Sequence, residues 1–241
     1  MLNYLIAGEG DWRTYAIHLL LSLPIILFAL SLHETAHGFI ASKLGDPTAK
    51  SLGRLTINPF KHLDPIGFLC MILFGFGWAH PVPINSRYFK KPRRDMALTA
   101  LSGPVSNFLA AILFALLYGV GELVFVMTVG KGLVTNITLI TLMQYFNTFL
   151  YYGISLNVTL AVFNLIPIPP LDGSRIVSAF LPPMVAYKYL KYERYISLVL
   201  MALLILTPLS DLIHMVTGAV TLVFLIISKL PAFIFELLTI V

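Results

Sequence analysis

The sequence predicts an all-α polytopic membrane protein, with about five transmembrane helices plus a re-entrant hairpin or loop. Three observations lead there. First, 58% of residues are apolar, only 11% are charged and the mean hydropathy is +0.88, whereas an ordinary soluble domain carries about 25% charged residues. Sixteen basic and eleven acidic side chains in 241 residues are too few to cover a soluble particle of this size. Second, several uncharged stretches reach the ~20 residues that a bilayer-spanning helix needs. Third, the basic residues fall between apolar segments rather than in a stripe interleaved with aromatics, so the net charge of +5 points to membrane topology and not to nucleic acid. Disordered, collagen-like and water-soluble globular classes are excluded.

Taken in order, the first span covers about 14–42. Residues 14–32 carry no charge, the helical pattern continues to Ser42, and Gly45, Asp46 and Pro47 supply the stop. The uncharged stretch 65–86 is broken by Gly67, Gly75, Gly77, Pro81 and Pro83. It reads as a re-entrant hairpin or loop, tolerated at membrane depth only where protein shields its backbone. The second span covers about 96–129 and the third about 135–166. Two shorter spans, 195–210 and 212–228, are separated by Pro208 and Asp211. With five spans, every basic residue except Arg13 and Lys131 lies on one side. The positive-inside rule makes that side cytoplasmic and puts the N-terminus outside a cell membrane crossed several times. The first segment lacks the basic start of a cleavable signal. Neither repeats nor linkers appear, so residues 1–241 read as a single membrane-embedded domain, with a core over 14–175 and additional C-terminal spans over 195–229. The lone Cys70 can form no disulfide within the chain and no thiolate cage, so any metal must rest on histidine and carboxylate.

The chemistry is concentrated at the end of the first span. His33-Glu34-Thr35-Ala36-His37 places two imidazoles one helical turn apart on one face, where they can converge on one ion. Glu34 stands one position on, able to handle a proton without being a ligand. In a soluble helix such a run can be a solvated face; in a membrane helix a carboxylate and two imidazoles are costly unless a partner or a wet cavity receives them. A catalytic zinc takes three protein ligands. Asp172 suits the third place, at the end of the third span in Asn164-Leu165-Ile166-Pro167-Ile168-Pro169-Pro170-Leu171-Asp172-Gly173. Its three prolines unwind the backbone and can project the carboxylate sideways. The alternative is an Asp-Gly turn that caps the helix from Ser174.

Beyond His33 to His37 and Asn164 to Gly173, further motifs are Gly45-Asp46-Pro47-Thr48, Gly53-Arg54-Leu55-Thr56-x-Asn58-Pro59, Gly77-Trp78-Ala79-His80-Pro81-Val82-Pro83-Ile84-Asn85 and Ser102-Gly103-Pro104-x-x-Asn107. Together they resemble the site-2 protease family of intramembrane zinc metalloproteases, in its compact bacterial and archaeal branch. The resemblance implies that His33, His37 and Asp172 bind Zn2+, that Glu34 is the general base and that Asn164 is a catalytic polar group near the reacting carbonyl. His80 stands where relatives often carry lysine, and the region after Asp64-Pro65-x-Gly67 lacks a proline common among them.

On this reading the protein hydrolyses peptide bonds within or near transmembrane segments, in regulated intramembrane proteolysis or signal-peptide remnant clearance. A helix hides its carbonyls, so the substrate must unwind locally. The extended loop of Ala79, His80, Pro81, Val82, Pro83, Ile84 and Asn85 offers an edge for strand addition, and Asn107 lines the cavity or packs between helices. The partners are a transmembrane substrate protein and the lipid bilayer, with no nucleic acid; self-association as a homo-oligomer stays open. Two other classes compete. A transporter could run a cation path through His33, Glu34, His37 and Asp172, but the motifs sit towards the span ends and no repeat is visible. An inactive helix-binding relative would have little use for Glu34.

Overall fold

Four helices are long and apolar enough to cross a bilayer: Trp12–Lys43, Pro92–Gly130, Ile137–Leu165 and Asp211–Thr239. The computed structural model describes residues 12–74, 77–206 and 209–240. The helices are α1 (Trp12–Lys43), α2 (Thr48–Ser51), α3 (Pro65–Phe74), α4 (Pro92–Phe125, prolonged by a π turn at Val126–Gly130), α5 (Ile137–Leu165), α6 (Asp172–Phe180), α7 (Pro183–Lys191), α8 (Glu193–Leu206), α9 (Leu209–Ile227) and α10 (Leu230–Ile240). Among the described residues there is no strand, only an isolated antiparallel bridge between Leu63 and Ala79.

Helices α1, α4 and α5 form the core. Lipid is as apolar as leucine, so close packing and interhelical hydrogen bonds must hold membrane helices together. The sequence supplies small residues at the seams. The buried stripe of α1 steps by four through Ile25, Ala29, His33, His37 and Ala41. Ala111 and Ala115 of α4 meet Ile154 and Val158 of α5, with Phe224 of α9 closing the cluster. A Cβ on Gly153 would lie 2.2 Å from the Phe114 ring, so that seam closes only around a glycine.

The segment expected to re-enter does form a hairpin. Its outgoing leg is α3, and its return leg is the extended chain from Gly77; Gly75 and Phe76 lie outside the described residues. The legs meet backbone to backbone, since a Cβ on Gly67 would lie 2.2 Å from Trp78 O and one on Gly77 2.1 Å from Gly67 O. The Tyr15 hydroxyl donates to Ile72 O at 3.2 Å, which ties the hairpin to the first turns of α1. His62 is buried, with its Nε2 facing Thr56 O at 2.7 Å.

The C-terminal part departs from the expected spans. In place of a span over 195–210 the chain forms α8, whose 14 residues extend about 21 Å against a hydrocarbon core of about 30 Å. Thr207 and Pro208 lie outside the described residues. Helix α9 then runs in the same direction as α4: Phe224 stacks on Phe108 at 5.9 Å between centroids, and a Cβ on Gly119 would lie 1.9 Å from Ser228 O. Gly119 is about 40 Å along α4 from Pro92. Lys229 therefore stands at the far end of the bundle from Arg93, and the expectation that it shares a side with the other loop lysines is corrected. An apolar run has the same composition whichever way it crosses, and only packing against α4 fixes its direction. Helix α10, beyond the predicted limit of 229, continues the apolar pattern.

Candidate metal centre

Two parts of the chain deliver the three ligand candidates to one point. His33 and His37 project from one face of α1, their rings edge to face at 4.6 Å. Asp172 arrives from the break after α5. The predicted unwinding occurs: α5 stops at Leu165 and α6 begins at Asp172, with a cis bond between Pro169 and Pro170. Gly173 lets the new helix start against the end of the old one, because a Cβ there would lie 2.3 Å from Leu165 O. Asp172 does not cap α6; no side chain does. Its Oδ2 lies 3.0 Å from His33 Nε2 and 3.2 Å from His37 Nε2. The ligand atoms of His33, His37 and Asp172 all lie within 4.8 Å of one another, close enough to hold one metal ion.

The surroundings show which atoms are free to do so. His33 Nδ1 lies 2.7 Å from Asn107 Oδ1, and His37 Nδ1 lies 2.7 Å from Thr99 O. Both partners are acceptors, so each Nδ1 carries the hydrogen and each Nε2 turns a lone pair towards Asp172. An ionised Asp172 carboxylate likewise has only lone pairs to offer. Three lone pairs converging in a buried pocket need a cation between them. Zinc bonds of about 2.0–2.2 Å at the tetrahedral angle put ligand atoms about 3.3 Å apart, close to the spacing here. The donor set fits zinc.

A glycine leaves the space for this arrangement. On α4, a Cβ at Gly103 would lie 2.5 Å from His37 Cε1 and 2.6 Å from His33 Cε1 and Nε2. Glu34, on the adjacent face of α1, accepts a hydrogen bond from Val82 N at 2.7 Å. That bond brings the extended Ala79–Asn85 chain to the site. The same chain is pinned by His80 N to His62 O at 2.7 Å, by the Arg54 guanidinium to His80 O at 2.7 Å, and by Asn85 N to the buried Asp46 carboxylate at 2.7 Å.

Two predicted polar residues find the following partners. Asn107, expected to line the cavity or to pack between helices, is fully buried. Its Oδ1 faces His33, and its Nδ2 donates to Ala29 O at 3.1 Å and to Asn157 Oδ1 at 2.9 Å, so packing turns it onto a ligand instead of an open cavity. Asn164 Nδ2 donates to Leu160 O of its own helix at 2.9 Å, which uses one of its two amide hydrogens. The sequence reading missed Thr99, Gly103 as the gap for the rings, and Asn157, and it named Val82 only as part of the Ala79–Asn85 loop. Gly103 left a trace in the Ser102-Gly103-Pro104 motif.

Apolar spanning helices that carry a two-histidine, one-aspartate zinc centre with a glutamate beside it define a zinc metalloprotease of the membrane. The comparisons agree: residues 21–207 match Peptidase family M50, the family of site-2 proteases, and the chain belongs to it. A protein of Bacillus subtilis named "Putative zinc metalloprotease YwhC" is 40% identical over 203 residues, covering 82% of this chain and 85% of that protein. Two proteins named "Putative zinc metalloprotease Rip2" are more distant. The one from Mycolicibacterium smegmatis is 26% identical over 189 residues, 76% of this chain and 66% of its own length. The one from Mycobacterium tuberculosis H37Rv is 28% identical over 192 residues, 76% and 65%. No solved structure matches the chain.

Proposed function

We propose that this zinc protease cleaves peptide bonds within or near transmembrane segments of substrate proteins, in regulated intramembrane proteolysis or signal-peptide remnant clearance. The observation that carries this reading is the position of the centre: His33 and His37 lie within the apolar helix α1, buried at its contact with α4. A substrate has to reach them from the bilayer. The orientation proposed is the one the basic loops favour, with the centre towards the cytoplasmic side, the N-terminus outside and 1–241 acting as one domain in the cell membrane.

His33, His37 and Asp172 are the ligands. Zinc, when bound, lowers the pKa of water towards ~7 and polarises the scissile carbonyl. Glu34 takes the proton of the attacking water as the C–O bond forms and later delivers it to the leaving amine as the C–N bond breaks. The second amide hydrogen of Asn164 is left to stabilise the developing oxyanion, a contribution of about 3 kcal/mol for one such donor. The Ala79–Asn85 chain receives an unwound substrate by strand addition. Prolines 81 and 83 have no N–H, and those of His80, Val82 and Asn85 are engaged. Arg54 already occupies the His80 and Pro81 carbonyls and Tyr88 N that of Asn85, so the segment offers those of Ala79, Val82, Pro83 and Ile84, and the substrate must supply the donors.

The test compares purified wild type with Glu34→Gln for bound zinc and for cleavage of a model transmembrane substrate. The amide can still accept from Val82 N, so the loop should stay in place. Equal zinc with cleavage only in wild type is the expected result; turnover by Glu34→Gln would overturn the assignment of the base.

A further inference from the structure

Asn157 lies on α5, has its hydrogen bonds to Asn107 and Gly153 and none to the imidazoles or Asp172, and yet stands one hydrogen bond from a side chain that contacts His33. It is fully buried. Its own amide is oriented without ambiguity, because Nδ2 donates to Gly153 O, one turn back on α5, at 2.8 Å. Oδ1 is left to accept from Asn107 Nδ2 at 2.9 Å. The other hydrogen of Asn107 Nδ2 goes to Ala29 O of α1 at 3.1 Å. With both amide hydrogens spent, Asn107 can present only Oδ1 to His33 Nδ1, at 2.7 Å.

We infer that Asn157 is a positioning residue for the metal centre: through Asn107 it fixes His33 as the tautomer with hydrogen on Nδ1 and a lone pair on Nε2. The relay crosses three helices in one sense, from His33 on α1 to Asn107 on α4 to Asn157 on α5, and ends on the Gly153 carbonyl. Reversing the Asn107 amide would set its oxygen against Asn157 Oδ1 and Ala29 O and its NH2 against His33 Nδ1. That would drive the hydrogen to Nε2, the atom that must face the ion. Partners behind a ligating histidine typically tune metal affinity by ~10–100-fold. His37 needs no such relay, because the Thr99 main-chain carbonyl it faces has only acceptor character. The inference rests on the reading of His33 as a ligand.

The test uses full-length protein in detergent, with zinc affinity measured by chelator competition and the His33 tautomer by 15N NMR of the zinc-stripped protein; His33→Gln identifies the signals. Asn157→Leu is expected to weaken zinc by tenfold or more and to give a mixture of His33 tautomers. Asn157→Asp, whose protonated carboxyl can donate to Gly153 O and accept from Asn107, should restore both. Asn147→Leu is the control for a merely structural effect: it removes another buried asparagine of α5, whose Nδ2 donates to Glu122 Oε1 of α4 at 2.7 Å, and should leave zinc affinity unchanged. Where leucine prevents accumulation, Asn157→Ala serves in its place. Zinc affinity within twofold of wild type and an unchanged Nδ1–H signal in Asn157→Leu or Asn157→Ala would overturn the relay. His33→Gln binding zinc as tightly as wild type would instead overturn the ligand assignment.

Discussion

The room for two imidazoles at one ion depends on an absent methyl group. A Cβ at Gly103 would lie 2.5–2.6 Å from ring atoms of both His33 and His37, nearer than such atoms pack. Gly103→Ala should therefore displace at least one ring and empty the site while the helix bundle survives; zinc content by atomic absorption and helicity by circular dichroism check this, with full zinc content refuting it. Much of the centre was legible in the sequence at this scale. The i, i+4 histidines declare a shared helical face, and three prolines before Asp172 declare a break able to turn a carboxylate sideways. Thr99 was not legible, because its contribution is a main-chain carbonyl common to every residue type. Nor was Asn157, whose meaning depends on the register of α5 against α4, fifty residues away in sequence.

At the scale of elements, the Ala79–Asn85 chain owes its place to side chains from the loop after α1. Gly45, with φ of +107°, takes a backbone conformation that other residues rarely adopt and turns the chain out of α1. Asp46 follows, fully buried, and holds Thr48 and Asn85 together. Asp46→Ala would leave the Asn85 N–H without its acceptor, at a cost of about 1–3 kcal/mol. It should lower the thermal midpoint and abolish cleavage while zinc stays bound; undiminished cleavage would show that the clamp is dispensable. Arg54→Met, which removes the bond to His80 O, is expected to reduce cleavage of a transmembrane substrate more than it reduces zinc content, measured on the same preparations. The hairpin itself was foreseen from its glycines and prolines. The length of α8 was not, since hydropathy alone does not separate a spanning helix from a shorter one such as Glu193–Leu206.

At the scale of the whole molecule, the bundle has two unlike ends. One carries the metal centre, the clamped loop and most of the basic residues; the other carries Arg13, Lys131 and Lys229. The parallel course of α9 and α4 makes a direct prediction on a Cys70→Ser background. Single cysteines at 131 and 229 should react with a membrane-impermeant thiol reagent from the same side, and one at 188 only after the membrane is opened. Labelling of 229 together with 188 would restore five full spans. Hydropathy found the α1, α4 and α5 spans because each is a long apolar run, but the direction of the last one is decided by Phe108, Gly119 and their partners, which no local pattern announces.

A length of extended chain outside any sheet is ordinarily a hazard, since its unpaired main-chain groups invite any similar segment to zip onto it. Here that risk is muted by the chain's own chemistry. Two copies of the Ala79–Asn85 segment would meet with more acceptors than donors, because only Ala79 and Ile84 keep N–H groups not already committed or absent, while Ala79, Val82, Pro83 and Ile84 keep their carbonyls. A freshly unwound helix carries a full set of donors and suffers no such mismatch. On the proposed strand addition, the segment would thereby be unattractive to its own kind and open to a chain in the act of losing its helical hydrogen bonds, a form of selection by unmet bonding need in place of side-chain shape.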